Sequence, residues 1–494
     1  MLSGHKLSRI TAAAFLCLYL FFPSGLSTTD SWYYAASIKY CSEIFHPHHL
    51  LYNALGLVFS WLPVKFGFDI LSSMKVMNAC FAFLALIIIQ QILYIFRISE
   101  KHVFLISCLI GFSFSMLRYA TENETYIVPL FFALLASFNY AKFITSRNNR
   151  FAVYAGLCAA LSLLFHQTYI FWWIGLLTGF LIEKRKKPAL LYILVSLIAP
   201  IVYLIVILTY KGGLSWSTIL SFILGDFNGN AMLGLSWKGI CLSIINLIRS
   251  FIQVHGYIYN LIRGNLLLAI PGIVSISLIL LAFLKPPESN KTNISQRFSK
   301  VHIFLIVLQF IFAIFSFGNT EFMVMIPALI FMLIPFFAFN YERFILLIMI
   351  AMAVWNISYG LIPLHYKSQA QEQFLCDAAL SEKNIIIIAS DDQLIKNMLY
   401  YKTGNNTIKS VFKSPASMKI KGSNPEILEG VIDSALRSGI EIFTNCLDKQ
   451  AISRQSIIEG DQNRDFFRKY ETILAKSWKL STGTKSIYKI ERKF

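Results

Sequence analysis

EKRKKPALLYILVSLIAPIVYLIVILT, residues 183–209, decides the fold class. Lys184, Arg185, Lys186 and Lys187 stand in front of residues 189–209, a run without a single charge. About 20 apolar residues in a helix cross the hydrocarbon core of a bilayer, and a basic cluster at one end marks the cytoplasmic side. The stretch reads as a membrane-crossing helix that enters from the cytoplasm.

Working outward, the same pattern recurs along most of the chain. Expected spans lie at 10–26, 72–96, 103–118, 126–144, 151–166, 168–183, 189–209, 265–284, 301–317, 322–339 and 345–363, about eleven in all. Lys6 and Arg9 precede the first span; Arg97, Lys101 and His102 follow the second; Lys142, Arg147 and Arg150 separate the fourth and fifth; Lys285, Lys291, Arg297 and Lys300 fall in a later loop, and Arg343 in one more turn. Placing all of them inside gives one consistent path. Residues 239–262 interrupt it, because Arg249, His255 and Arg263 break an apolar helical pattern there. They are expected as an interfacial or re-entrant helix. The first span also resembles a signal peptide up to Pro23-Ser24-Gly25, but the basic residues downstream favour a retained helix.

Composition agrees with this reading. In 494 residues, 56% are hydrophobic, 14% are charged and the mean hydropathy is +0.60, too apolar for a soluble globule. The net charge of +18 is accounted for by cytoplasmic loops, so no nucleic-acid partner is implied and membrane lipids are the expected surroundings.

Two domains are expected: 1–364, a transmembrane catalytic domain with a long first outer loop (27–71), and 365–494, a small soluble extracytoplasmic α/β domain. In the second, residues 384–390, 407–412 and 440–445 read as strands, and 393–401 and 425–437 as helices. Asp391-Asp392 follows the first strand without a glycine-rich phosphate loop, so helix capping is the expected role. Cys17, Cys80, Cys108 and Cys158 lie in expected spans as small apolar side chains, whereas Cys376 and Cys446 are expected outside the cytoplasm, where disulfides persist, and are open to pairing. Tyr169, Trp172 and Trp173 suit an interfacial aromatic belt.

Charges near hydrocarbon are costly and mark function, and four polar clusters collect on the outer edge. They are Thr28-Thr29-Asp30-Ser31 running on to His46-Pro47-His48-His49; Arg118-Tyr119-Ala120-Thr121-Glu122-Asn123-Glu124; His166-Gln167-Thr168; and Gly318-Asn319-Thr320-Glu321. Each residue has a plainer role open to it: Asp30 as a helix N-cap, Glu122 and Glu124 in a solvated tight loop, Arg118 snorkelling, His166 capping a helix, Glu321 in water.

With these residues in hand, the chain resembles the polyprenyl-phosphate-sugar-dependent glycosyltransferases of the C superfamily (GT-C), among them protein O-mannosyltransferases and lipid A aminoarabinose transferases. Asp30 stands where that family has an acid just after the first span, and His46-Pro47 where it has a His-Pro segment. Arg118 to Glu124 matches the second acidic site, with Glu122 and Glu124 as alternative counterparts, and Glu321 to Pro327 resembles the late motif entering a Pro-containing helix. Relatives often pair two acids at the first site, whereas Thr29 and Ser31 flank Asp30 here.

The resemblance implies a GT-C-like, polytopic α-helical membrane enzyme of the bacterial plasma (inner) membrane with an extracytoplasmic C-terminus. Its donor would be a polyprenyl-phosphate sugar, its acceptor a lipid, glycan or protein, and transfer would proceed with inversion. Asp30, Glu122 and Glu124 are the expected catalytic residues; Arg118, His46, His48, His166, Gln167 and Glu321 are expected to bind substrate. A divalent metal ion held by carboxylates and His is an open cofactor. The competing class is an envelope polysaccharide polymerase or ligase, or a lipid-linked-sugar transporter. A transporter places ionisable groups near the bilayer midplane, whereas these sit at one edge.

Overall fold

A computed structural model describes residues 6–183, 185–229, 236–284, 288–289, 296–316, 318–337, 339–340, 342–381, 385–420, 422–448, 454–480 and 483–493. Lys184, Lys285, Lys291 and Asn384 of the expectations above lie outside the described residues. The chain divides into two compact units. The first comprises residues 1–23, 43–253 and 270–362; the second comprises 24–42, 254–269 and 363–494.

In the first unit, helices arise where the apolar runs were read: Lys6–Phe21, Ile70–Ile95, Ile127–Ser146, Arg150–Phe165, Ile170–Ile182, the pair Lys186–Ser196 and Ile198–Lys211, Ile270–Phe283, Gln296–Phe315, Ile326–Leu333 and Glu342–Asn356. Among the described residues, six helices are long and apolar enough to cross a membrane, and a bent pair, Glu100–Phe112 with Phe114–Thr121, makes a seventh if counted as one span. Others, such as Arg150–Phe165 and Ile170–Ile182, have 16 and 13 residues. At 1.5 Å per residue they extend about 20–24 Å, short of the ~30 Å hydrocarbon thickness.

Only 11% of the apolar helix Leu266–Phe283 is buried inside the protein. Its outward face carries Leu266, Leu267, Ile273, Leu280 and Phe283. Such a surface is stable against lipid and not against water. The protein is an integral, multi-pass membrane protein.

Several details differ from expectation. Residues 239–262 do not form one helix: Trp237–Phe251 ends before a break, and Tyr257–Gly264 follows as a short separate helix belonging to the second unit. Trp216–Gly229 is a helix that the apolar pattern did not suggest, its run being cut by Ser217, Thr218 and Ser221. Trp172 is not in an exposed belt. It is 1% exposed and donates to Ser137 Oγ at 2.9 Å, and the same oxygen meets His302 Nε2 at 2.8 Å.

The bend between Glu100–Phe112 and Phe114–Thr121 measures 63° and has a local cause. Ser113 adopts extended dihedrals (φ −60, ψ 142), and its hydroxyl takes the Ile110 carbonyl at 2.7 Å. A side chain that satisfies the preceding turn lets the ladder stop and restart in a new direction.

The second unit is built on a five-stranded sheet. Its strands are β1 (Ile385–Ala389), β2 (Val411–Lys413), β3 (Glu441–Thr444), β4 (Tyr470–Leu480) and β5 (Gly483–Arg492), in spatial order β2-β1-β3-β5-β4. The first three are mutually parallel and the last two form an antiparallel hairpin. Ile388, Ile432, Ile442, Phe467 and Ile490 share its core. The helix Thr29–Lys39 belongs here rather than to the membrane bundle and packs on Asp392–Thr403: the Trp32 and Tyr401 rings lie 5.3 Å apart, and Asn397 donates to the Thr29 carbonyl at 2.9 Å. Cys376 and Cys446 are both free thiols. Cys446 Sγ faces the Ile388 carbonyl at 3.4 Å while Cys376 Sγ faces that of Ile395, so the disulfide left open by the sequence does not form. Burial pushes the Cys446 thiol up to about 11.

Candidate functional site

Polar residues at the end of Phe114–Thr121 are the natural starting point. Thr121, Glu122, Asn123, Glu124 and Thr125 are each no more than 3% exposed. Glu122 turns extended (φ −103, ψ 158) and ends the helix, and the next begins at Ile127. The solvated-loop reading of Glu122 and Glu124 is therefore wrong. A buried polar backbone needs partners, and these come from far along the chain. Asn78 Nδ2, on Ile70–Ile95, donates to the carbonyls of Glu122 at 2.8 Å and Glu124 at 2.7 Å. Tyr52 OH sits 3.0 Å from Asn123 Oδ1 and 3.1 Å from the Glu124 carbonyl.

With its backbone clamped, the segment presents charge. Arg118 Nε lies 3.1 and 3.3 Å from the two carboxylate oxygens of Glu122, whose side chain is only 4% exposed. The guanidinium rests over the Tyr119 ring at 4.9 Å, and its field also reaches Glu321 and Glu124. Arg118 is therefore an ion-pair partner rather than a snorkelling residue. Lys75 interacts electrostatically with Glu122 and Asp69. Glu321 joins the same neighbourhood: Tyr126 donates to its Oε2 at 2.8 Å and Asn319 Nδ2 at 3.2 Å. Tyr119 OH is buried and has no hydrogen-bond partner among the described residues.

A histidine cluster adjoins Tyr126. The His166 ring lies 5.1 Å from that of Tyr126 and 4.4 Å from that of His49. His46 stacks on His49 at 5.8 Å, and the two residues pair as an isolated antiparallel bridge. His48 Nδ1 meets Gln167 Oε1 at 2.8 Å while Gln167 Nε2 donates to the Pro47 carbonyl at 3.1 Å, so Gln167 fixes the loop. His166 caps the turn Gln167–Tyr169, its Nδ1 accepting the Thr168 amide at 3.2 Å. An amide can only donate, so the ring proton sits on Nε2, which is buried without a hydrogen-bond partner among the described residues. Burial, with His48 nearby, pushes His166 down to about 3; burial, with His166, His46 and His48, holds His49 well below its ordinary value. Both rings are neutral donors or acceptors at neutral pH.

Asp30 lies in the second unit, exposed in the first turn of Thr29–Lys39. It is not the N-cap. Thr28 is, accepting the Ser31 amide at 3.1 Å. Asp30 instead stands in the first turn, where a carboxylate is favoured by the helix dipole.

The structure thus brings Arg118, Glu122, Glu124 and Glu321 into one electrostatic neighbourhood and gathers His46, His48, His49, His166 and Gln167 beside it. Among the described residues, no three His, Cys, Asp or Glu side chains group closely enough to hold a metal ion, so the carboxylate–His set left open by the sequence finds no fit there. Sequence reasoning missed Asn78 and Lys75. A polar residue inside a span is itself a signal, and Lys75 and Asn78 both fall within residues 72–96. Between Phe251, Ile252, Ile279, Phe331 and Met352 lies an apolar cavity of about 330 Å³.

No known family model matches the sequence, and no curated protein matches it. In three dimensions the likeness is broad. The crystal structure of ArnT from Cupriavidus metallidurans bound to undecaprenyl phosphate matches with a TM-score of 0.55 at 8% identity, over 97% of each chain. The oligosaccharyltransferase AglB from Archaeoglobus fulgidus, in complex with an inhibitory peptide and a dolichol-phosphate, matches with a TM-score of 0.52 at 12% identity, over 97% of this chain and 74% of that one. At such identities the likeness is one of fold alone: this chain shares the overall fold of those two proteins.

Proposed function

We propose that this protein is a membrane glycosyltransferase that moves a sugar from a polyprenyl-phosphate donor to an acceptor outside the cytoplasm. The observation that carries the reading is the Arg118–Glu122 ion pair, held at 3.1 Å with Glu122 buried in a segment clamped by Asn78, in a chain with the fold of proteins solved with undecaprenyl phosphate and dolichol-phosphate. A half-buried cation in the last turn of a helix, fixed by its ion pair, suits a departing phosphate. The apolar cavity of about 330 Å³ suits isoprenoid hydrocarbon.

In this reading the acceptor hydroxyl attacks the anomeric carbon while its proton passes to the Asp30 carboxylate. The bond from that carbon to the lipid phosphate oxygen breaks, and the electron pair leaves with the phosphate. Arg118 uses Nε on Glu122 and keeps its terminal nitrogens for that phosphate. His166, neutral, offers the Nε2 proton as a hydrogen bond rather than as charge. Glu122 orients the guanidinium, while Glu124, Glu321, His46, His48 and Gln167 shape the sugar site. One displacement inverts the anomeric centre. The fitting topology has about eleven crossings, the basic loops inside and residues 365–494 outside, as in a bacterial plasma membrane.

The test is transfer by purified protein in lipid nanodiscs from a polyprenyl-phosphate sugar, with a nucleotide sugar as the contrasting donor. Transfer from the nucleotide sugar without lipid carrier sinks the proposal. A polymerase or ligase working on the same face is distinguished by its product, an extended polymer or a whole transferred chain rather than a single added sugar.

A further inference from the structure

The second unit holds a cavity that the transfer reading leaves unused. The chain leaves β1 for β2 on one side and returns through β3 on the other, so the strand order reverses between β1 and β3. In open parallel sheets, ligands bind outside the carboxyl ends of the strands at such a reversal. Ser390 and Asp391 follow β1, Ser414 follows β2, and Asn445 and Asp448 follow β3, and all of them line a cavity of about 220 Å³ there.

Its walls are polar, ordered and charged in one sense. Among the described residues, Glu372, Asp391, Asp448 and Glu459 line it together with one ammonium, Lys485. That balance repels phosphate and nucleotides, the usual occupants of this place in the fold. The N-terminus of Asp392–Thr403 is closed to anions as well, because Asp391 Oδ1 accepts the Leu394 amide at 3.0 Å. Asp448 is anchored by Gln371 Nε2 and the Ser486 amide, both at 2.8 Å. Asn445 spends its oxygen on the Ser390 amide at 2.9 Å and retains its amide protons. Lys485 meets Glu372 Oε1 at 2.6 Å, whereas Glu372 Oε2, on a residue only 9% exposed, has no hydrogen-bond partner among the described residues.

Fixed carboxylate acceptors interleaved with amide and ammonium donors match vicinal hydroxyls, each of which donates one hydrogen bond and accepts as well. The volume is below the ~300–1,000 Å³ of pockets for drug-sized ligands, so the occupant is small. We propose that this crevice binds a single monosaccharide unit, uncharged or amino-bearing, and so gives the second unit a carbohydrate-recognition site of its own. The assignment stands apart from the transfer chemistry, since it concerns binding alone.

The test uses the full chain in nanodiscs and ligand-observed NMR with free hexoses, an amino sugar, inorganic phosphate and a nucleoside diphosphate. Saturable binding of a hexose or the amino sugar is expected, with phosphate and nucleotide silent. Asn445→Asp keeps the acceptor for the Ser390 amide, removes the donor and is expected to weaken sugar binding about tenfold. Because Lys485→Met alone strands Glu372, the paired variant Glu372→Gln with Lys485→Met is the second probe, with the same expected loss and thermal unfolding recorded beside it. Sugar binding unchanged in both variants, no sugar binding by the parent protein, or binding of phosphate instead each overturns the assignment. Loss of transfer activity does not bear on it.

Discussion

Asn78 holds Glu122 and Glu124 through their carbonyls at 2.8 and 2.7 Å, from a helix more than forty residues away in sequence. Together with Tyr52 OH, 3.1 Å from the Glu124 carbonyl, this amide fixes where the acidic loop lies. Each buried carbonyl left without its donor costs about 1–3 kcal/mol. Asn78→Leu is expected to lower the unfolding temperature of the detergent-solubilised protein and to reduce transfer. Unchanged stability would show that water replaces the amide.

The Arg118–Glu122 pair should behave as a coupled unit. Removing one partner of a buried pair strands the other, at a cost on the order of 3 kcal/mol. Arg118→Ala and Glu122→Gln are each expected to destabilise, and the double variant by less than their sum, giving a coupling of about 0.5–3 kcal/mol. Transfer should be lost with Arg118 in both backgrounds. Additive stabilities would remove the ion pair from the account.

Acid should loosen the histidine cluster. His166 is held at about 3 and His49 well below 6.5, so the folded protein keeps these rings neutral while the unfolded chain protonates them near 6.5. The unfolded state then binds more protons below that pH, and stability falls as pH drops from 6.5 toward the folded values. The unfolding temperature is expected to be level above about pH 7 and to decline toward pH 5. His166→Asn retains an acceptor for the Thr168 amide and should flatten the decline; an identical pH profile would assign the acid sensitivity elsewhere.

For Asp30, the proposed base, Asp30→Asn keeps the side chain's size and leaves the Thr28 cap untouched. A first-turn carboxylate contributes about 0.3–1 kcal/mol to a helix, whereas a general base contributes about 10²–10⁴ in rate. Normal folding with transfer lowered at least about 100-fold is expected. Near-normal turnover in well-folded protein would leave the proposed mechanism without its base.

Topology can be read with fusions. A reporter after Phe494 is expected to be active only outside the cytoplasm, and reporters at Lys186 or Ser289 only inside. A cytoplasmic signal from Phe494 would part the second unit from the face that the acceptor is proposed to occupy.

Sequence alone determined the membrane class and the places of the apolar helices, because burial in hydrocarbon is written locally, as uncharged runs such as 189–209. It also located the polar clusters, since ionisable residues between such runs are conspicuous. Strand β1 was legible as the β-branched run Ile385–Ala389, whereas β4 and β5, rich in Lys, Thr and Ser, were not. Tertiary structure decided what each polar residue touches. Glu122 and Glu124 looked solvated until Asn78 and Tyr52 supplied distant partners, and Cys376 and Cys446 looked pairable until the sheet turned them to different carbonyls. The helix carrying Asp30 joined the second unit through distant contacts such as Trp32 with Tyr401 and Asn397 with the Thr29 carbonyl. Hydrogen bonds and ring contacts between residues tens to hundreds of positions apart leave no local periodicity, so only the folded chain reveals them.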